Sequence, residues 1–386
     1  MIKSTLTQEI NTNKDQSTSK PETSLRTFLR RQDNWNIIGL IITLIIVMTI
    51  ASFVSPYFLS MKNFLNIGQA ISIRGIIAIG LTIVLITGGL DLSIAAVAAV
   101  AGMAAAALIN AQVNGWLAAI LALFLAGVLG AINGTIVVKF RINPIIATLG
   151  TLLLFRGLAY VVSGGKNIVI GVNTWSFLGR GFFLDIPVSL IIYIILLILA
   201  YFFLRFTIIG NYIYAIGGNS EACRNSGIKV DRLRFSVYIF TAMLSGVAGL
   251  ILMSQAGTAT PIALNGAELD IIAAVLLGGI TLSGGRGSLL GTFLPVLVLI
   301  PLIGTQRTLL GTAALIAAAG ALLLGARYLT PALALVALMI IPPGVVKPTP
   351  GLLYEKESLY QFVQVAETGD ARYLYLNEGF AVHSIW

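Results

Sequence analysis

Cysteine and histidine are almost absent: Cys223 and His383 are the single representatives of each in 386 residues. One cysteine cannot form an intramolecular disulfide. Two such side chains cannot close a tetrahedral zinc shell. Nucleophilic chemistry of the Ser/His/Asp kind would have to use His383, the fourth residue from the end of the sequence, and is set aside. Charge is also scarce. Only 10% of residues are charged, against about 25% in a soluble domain. The runs between these few charges are apolar: 57% of the chain is hydrophobic, and mean hydropathy is +0.95. The surface therefore faces lipid.

The net charge of +9 does not make a nucleic-acid face. The basic residues are scattered, with small clusters only at Arg26, Arg30 and Arg31 and from Arg224 to Arg234. Nucleic acid needs a dense basic patch. Gly164-Gly165-Lys166-Asn167 is not a phosphate-binding loop, because the earlier glycine spacing and the Ser/Thr after Lys are missing. The chain is not expected to hydrolyse ATP, to carry a cofactor or metal, or to be an enzyme.

The polar segment 1–35 lacks an apolar core and a small-residue cleavage site. It reads as a disordered cytoplasmic tail rather than a signal peptide. Crossing a ~30 Å hydrocarbon core takes about 20 helical residues. Apolar runs of that order fall at about 36–55, 64–86, 92–111, 115–138, 143–162, 186–206, 233–255, 264–282, 288–305, 309–326 and 329–346. The fold class is an all-α polytopic membrane protein of about 10–11 transmembrane helices. Lys139, Arg141 and the stretch from Arg205 to Arg234 fall inside if the amino terminus is inside, as the positive-inside rule asks. The pairs Gly246/Gly249 and Gly278/Gly279 suit close helix approach. Gly88-Gly89 and Gly284-Gly285 read as helix breaks.

Three stretches carry function. Asp91, in Gly88-Gly89-Leu90-Asp91-Leu92-Ser93, is the only carboxylate between Asn36 and Leu184. An ionisable group among apolar spans costs about 2.5–3.5 kcal/mol at the bilayer centre on insertion scales and is a functional candidate by default. It also suits a cap for the helix that follows, and the two readings are compatible. Asp91, Ser93 and Asn133 are the candidates for the substrate pathway. The loop from Ala215 to Arg234 offers Gly217, Gly218, Asn219, Glu221 and Gly227, a short helix with tight backbone contacts that a cytoplasmic partner would grip. The lesser alternative is a solvated connector with positive-inside flanks. Glu268 and Asp270 are expected near the outer end, to meet a binding protein or substrate, or simply to be solvated there.

The stretches GGLDLSIAAVAAVAG (88–102), NGTIVVKFRINPIIATLGTLLLFRGLAYVVSGG (133–165), AIGGNSEACRNSGIKVDRLRFSVYIFTAMLSGVAGLI (215–251) and GAELDIIAAVLLGGITLSGGRGSLLGTF (266–293) together resemble the permease subunits of ABC importers for ribose, xylose and related monosaccharides. The resemblance covers about residues 36–293. It implies a homodimeric pathway in the lipid of a bacterial inner membrane. A cytoplasmic ATPase that consumes ATP would grip the loop around Gly217 to Gly227, and an extracytoplasmic binding protein would deliver sugar. Gly218, Asn219 and Glu221 would then serve in coupling.

After Phe293 the sequence departs from that pattern. Residues 294–350, and the tail GLLYEKESLYQFVQVAETGDARYLYLNEGFAVHSIW (351–386), resemble the last spans and first strands of a membrane-bound spermidine synthase-like protein. Alternation around Gly369-Asp370 independently predicts a β-hairpin. The glycine-rich acidic loop and catalytic acid of a complete synthase are missing, and Gln361 alone cannot support transfer. The expectation is a hybrid joined within GSLLGTFLP (287–295), active in part or not at all. A secondary transporter is the other rival; it needs intramembrane carboxylates, and Asp91 is the good candidate. Eleven spans would also leave the tail outside, so either one span is re-entrant or the tail is misplaced.

Overall fold

A computed structural model describes residues 59–170 and 175–294, two short helical stretches at 48–49 and 52–53, and strands at 352–357, 362–368, 371–376 and 381–385. The expected tail 1–35 and the expected spans at 309–326 and 329–346 lie outside the described residues, as do most of 36–55 and 288–305.

Long apolar runs become helices because the bilayer leaves backbone N–H and C=O groups no other partner. Among the described residues five helices are long and apolar enough to cross a membrane. They are α1 (Met61–Ile86), α3 (Gly115–Gly134, prolonged by a π-helical turn Thr135–Lys139), α4 (Pro144–Ser163), α6 (Val188–Phe206) and α9 (Val230–Ala256). Between α1 and α3 runs the shorter α2 (Ile94–Asn110). Six of the expected spans thus appear as helices with closely similar ends. Their starts follow local chemistry. Ser60 caps α1, Asn114 caps α3 and Asn143 caps α4, each accepting a hydrogen bond from a first-turn N–H. Pro144 follows Asn143 at the first helical position, where its missing N–H costs nothing.

The alanine-rich α2 is buried along most of its length and packs against α3, α4 and α9. The long α9 also lies along α1 and α3, so α2 and α9 form the centre. Small residues let them meet. A β-carbon on Gly249 would stand 2.0 Å from the Ala98 carbonyl oxygen, and one on Gly130 2.6 Å from the Ala242 β-carbon. On the outside, Phe124, Leu153, Leu154, Ile195, Leu199 and Phe202 of α3, α4 and α6 are exposed, which is the lipid-facing complement of that core.

The bundle has two unlike ends. One collects the basic connections: Lys139 and Arg141, then α7 (Ile208–Gly218) and α8 (Ser220–Asn225) leading into α9. The other holds β1 (Ile168–Val169), α5 (Ser176–Arg180), the β2–β3 pair (Phe182–Phe183 with Ile186–Pro187) and β4 (Thr258–Ala259). There β4 pairs antiparallel with β1, and Arg180 Nε donates to the Gln255 carbonyl at 2.6 Å.

The expected span 264–282 is not one helix. Its helical part, α10, runs only from Ala267 to Leu277, 11 residues, or about 17 Å at 1.5 Å per residue, short of a ~30 Å core. The break comes at Gly278-Gly279, where φ of Gly279 is +88°. That backbone state, rather than close packing, is the use of Gly279. From there the chain runs irregularly to the basic end, where the Gly285 N–H donates to the Ile86 carbonyl at 2.9 Å. It turns back as α11 (Leu289–Leu294). A β-carbon on Gly278 would stand 2.4 Å from Thr292 Cα, so α11 returns against the break.

The tail forms four strands in antiparallel order β5 (Leu352–Glu357), β6 (Phe362–Thr368), β7 (Ala371–Leu376) and β8 (Ala381–Ile385). Thr368 pairs with Ala371, so β6 and β7 are consecutive antiparallel strands where the sequence predicts a hairpin. The unit is larger than the single expected hairpin.

Candidate functional site

The turn between α1 and α2 gathers the three pathway candidates. Gly88, with φ +78°, takes the chain off the end of α1, and Asp91 then folds onto the start of α2. The Asp91 carboxylate accepts from the Ser93 N–H at 2.8 Å and from the Ser93 hydroxyl at 2.7 Å. Asn133, on α3, donates to the Ser93 oxygen at 2.7 Å and reaches both carboxylate oxygens at 3.3–3.4 Å. All three side chains are fully buried. Asp91 folds back on Ser93, the residue just before the first turn of α2, and heads a polar chain that crosses to α3. The chain is sealed rather than lining an open passage, and Asn133 Oδ1 has no partner. The π-turn begins two residues after Asn133, and such turns are frequent at functional sites.

Neighbouring helices hold the backbone of this turn. The Leu92 N–H donates to Thr148 of α4 at 3.1 Å. The Tyr238 hydroxyl of α9 donates to the Leu90 carbonyl at 3.2 Å. Arg234 Nη2, also of α9, donates to the Thr87 carbonyl at 3.0 Å.

The coupling-loop candidates form a second unit at the basic end. Asn219 ends α7 and caps α8; its side chain accepts from the Glu221 and Ala222 N–H groups at 3.1 and 2.9 Å. Ser220 to Asn225 is a single exposed helical turn and a half, with Glu221 in its first turn and exposed. Gly227, at φ +83°, turns the chain into α9. Ile216, Cys223 and Val230 make a small separate core beneath, and Arg224 pairs with Asp231 across it. The segment is a folded unit, not a loose connector.

This unit is wedged against the Asp91 turn. A β-carbon on Gly217 would stand 1.8 Å from the Ile86 carbonyl oxygen and 2.3 Å from the Gly285 nitrogen. Three backbones therefore meet with no side chain between them: the end of α7, the end of α1 and the glycine loop after α10. The Tyr214 hydroxyl adds a hydrogen bond to the Gly287 carbonyl at 3.1 Å. Burial pushes the Tyr214 phenol above its ordinary value, opposed by the charge of Arg205.

Glu268 and Asp270 occupy the first turn of α10 and face opposite ways. Glu268 is only 9% exposed, so simple solvation does not account for it. Asp270 meets Arg74, near the middle of α1, at 3.9 Å, with both side chains roughly one-third exposed. Arg74, and Arg156 on α4, are cations inside apolar helices that sequence reasoning passed over. Their signal was available: a cation in the middle of a spanning run is as expensive as Asp91. Among the described residues no group of three His, Cys, Asp or Glu stands ready to hold a metal.

A family model described as "Branched-chain amino acid transport system / permease component" matches residues 63–341. The chain belongs to this permease family. It is similar, at 38% identity over 263 residues, to the ribose import permease protein RbsC of Escherichia coli (strain K12), covering 67% of this chain and 82% of that one. Against the ribose import permease protein RbsC of Bacillus subtilis (strain 168) identity is 41% over 264 residues, 68% and 82% of the two chains. The L-arabinose transport system permease protein AraH of Escherichia coli (strain K12) is 32% identical over 265 residues, 69% and 81%. No solved structure matches the chain. As a permease with five spanning helices among its described residues, it is a multi-pass inner-membrane protein. The family match runs past Phe293, where the sequence reading ends the permease resemblance, to residue 341.

Proposed function

We propose that this chain is the membrane-spanning subunit of an ATP-driven importer for a monosaccharide of the ribose/arabinose class. The observation that carries this is the wedge at Gly217: the folded unit α7–α8 bears on the end of α1 and the loop after α10 by direct backbone contact, with the Tyr214–Gly287 hydrogen bond beside it. The permease relatives, two named for ribose and one for L-arabinose, supply the substrate class. A cytoplasmic ATPase subunit grips α7–α8, with Gly218, Asn219 and Glu221 on the contacted side, and uses ATP there. The chain itself contributes no catalytic residue and no cofactor. Movement of α7 displaces Ile86 and Gly285 together, because contacting backbones have no soft side chain to absorb it. The Asp91 turn moves with Ile86, and Asp91, Ser93 and Asn133 keep the turn and α3 in register as the pathway alternates. The other end of the bundle receives a sugar-binding protein. Two copies of the chain, with α3, α4 and α6 against lipid, make the pathway.

Co-purification tests the reading. The chain should retain its ATPase subunit, and Gly218→Val with Glu221→Lys should release it. Undiminished binding by the double variant removes the coupling-loop assignment. An ion-driven carrier instead predicts uptake that survives loss of the ATPase.

A second reading concerns the carboxyl-terminal region. The four-stranded unit at 352–385 favours a separate module after the permease, of the kind that begins a membrane-bound spermidine synthase-like domain. In this reading, 1–35 is a tail, 36–293 the permease, 294–350 substituted spans and 351–386 the start of the second module. The family match up to 341 weighs for a permease that continues past Phe293. Amplification across codons 250–340 from source DNA decides whether one continuous gene encodes both parts.

A further inference from the structure

The half of α1 away from α7–α8 carries a polar stripe that an apolar span does not need. Asn63, Asn66, Ala70 and Arg74 follow at steps of three and four, so they share one face. Asn66 is exposed, and Asn63, Ala70 and Arg74 are half-buried. A different face of α1 packs on α6, where β-carbons on Gly68 and Gly75 would strike the side chains of Leu190 and Tyr193 at 2.6 and 2.5 Å. Below Arg74 the stripe stops. Every residue from Gly75 to Thr87 is buried. Ala78 and Leu81, which continue the face of Arg74, are 2% and 0% exposed. This sealed half meets α11, where the hydroxyls of Thr82 and Thr292 lie 3.4 Å apart.

Asp270 closes the stripe at its deep end. Its carboxylate stands 3.9 Å from the Arg74 guanidinium, with the two side chains 31% and 27% exposed. Arg74 lies about 20 Å along α1 at 1.5 Å per residue. Asp270 is in the first turn of α10, so α10 begins level with the middle of α1 rather than at a membrane surface. Backbone that enters a helix at such depth is tolerated where it is buried in protein or lines water. The exposure of the pair selects water, since charges against lipid are costly. The two charges also cancel. A lone guanidinium would collect anions and a lone carboxylate cations. Together they offer donors and acceptors to a neutral solute that carries hydroxyls.

We propose that the Asn63–Asn66–Ala70–Arg74 face of α1, floored by Asp270 of α10, is an outward vestibule in which a neutral polyhydroxylated solute rests before passage; this rests on the importer reading above. The test uses the full chain with Cys223→Ala, reconstituted in liposomes with its ATPase subunit and binding protein. Single cysteines replace Ala70 in the stripe, Ala78 below it and Leu153 on the lipid face. The probes are a membrane-impermeant cationic thiol reagent, added from the binding-protein side, and radiolabelled D-ribose, L-arabinose and D-xylose. In the nucleotide-free complex Ala70→Cys should be modified and lose uptake, Ala78→Cys should stay unmodified, and Leu153→Cys should keep full uptake after the same treatment. Asp270→Asn, which leaves Arg74 unopposed, should lower uptake by about tenfold, the scale of losing one charge-assisted hydrogen bond. Its melting temperature should not change, because a partly exposed pair adds little to stability. An unreactive Ala70→Cys, or one modified without loss of uptake, overturns the proposal. So does modification of Ala78→Cys, equal inhibition through Leu153→Cys, or Asp270→Asn uptake that is unchanged or falls together with melting temperature. If wild type shows no ATP-dependent uptake of any of the three sugars, the importer reading fails and the vestibule falls with it, an outcome visible before any variant is made.

Discussion

The carbonyl oxygen of Ile86 occupies the space where a side chain on Gly217 would begin: a β-carbon there would stand 1.8 Å from it. The next residue, Gly218, has nothing within 4 Å of the same position. Two adjacent glycines therefore do different work. Gly217→Ala forces backbone apart and should destabilise the purified chain by about 1–3 kcal/mol, the usual range for overpacking. Gly218→Ala should leave stability unchanged. Thermal melting in detergent reads both, and equal melting temperatures for the two variants would remove the wedge.

The Asp91 chain predicts non-additivity. Ser93→Ala removes the hydroxyl that bridges Asn133 and Asp91 and leaves Asn133 only its longer contacts to the carboxylate, at about 0.5–1.5 kcal/mol for the lost hydrogen bond. Asn133→Ala breaks the same link from the other side. Since each variant already removes the Ser93–Asn133 bond, the double variant should cost about 0.5–3 kcal/mol less than the sum. Strict additivity in denaturant or thermal unfolding would mean that the three side chains do not act as one chain.

Arg74 and Asp270 predict where water reaches. A pair roughly one-third exposed, on a helix that crosses the membrane, faces an aqueous space more cheaply than lipid. With the buried thiol of Cys223 replaced by Ala, Arg74→Cys should react with a membrane-impermeant thiol reagent in proteoliposomes. Protection of the cysteine in both nucleotide-free and ATP-bound complexes would place this face against protein or lipid instead.

The helices α1, α3, α4, α6 and α9 were legible because uninterrupted apolar length has one outcome in a bilayer. Asp91, Ser93 and Asn133 were legible as single polar residues among apolar ones; their meeting was not, since it depends on how α3 packs against the α1–α2 turn. The run 264–282 misled because hydropathy continues across Gly278-Gly279 while the backbone does not. A glycine pair inside an apolar run serves close packing or a break equally well, and only the φ of +88° at Gly279 separates them. Arg74 and Arg156 escaped notice because lysine and arginine were weighed as markers of topology. Inside a span the same residues are charges that need a partner, and the partners lie far along the chain: Asp270 on α10 for Arg74, nearly two hundred residues away, and the Pro261 and Ala263 carbonyls for Arg156.

Tyr214 gives the pH dependence. Its hydroxyl donates to the Gly287 carbonyl at 3.1 Å, which requires the neutral phenol. Burial raises its pKa above the ordinary value, about 10. A raised folded-state pKa means the stabilisation is fully present below the unfolded value and is lost only as pH rises through the folded one. Tyr214→Phe should therefore cost about 0.5–1.5 kcal/mol by the same amount at pH 6 and pH 9. A cost that shrinks between those pH values would show the phenol ionising early and would contradict the burial seen at α7.

Asn219 separates stability from coupling. Its side chain caps α8 with two hydrogen bonds, and removing such a cap costs about 0.5–2 kcal/mol. The loss falls on a turn and a half of exposed helix that contributes one buried residue, Cys223, to its own small core. The spanning bundle does not depend on it. Asn219→Ala should leave the main melting transition in place while fraying α8, seen as faster amide exchange at Glu221 and Ala222. Asn219→Asp, which keeps the accepting oxygen, should restore protection. If α8 is the surface that the ATPase grips, affinity for the ATPase should fall with Asn219→Ala and return with Asn219→Asp. Frayed α8 with undiminished ATPase affinity would move the contact elsewhere on the basic end.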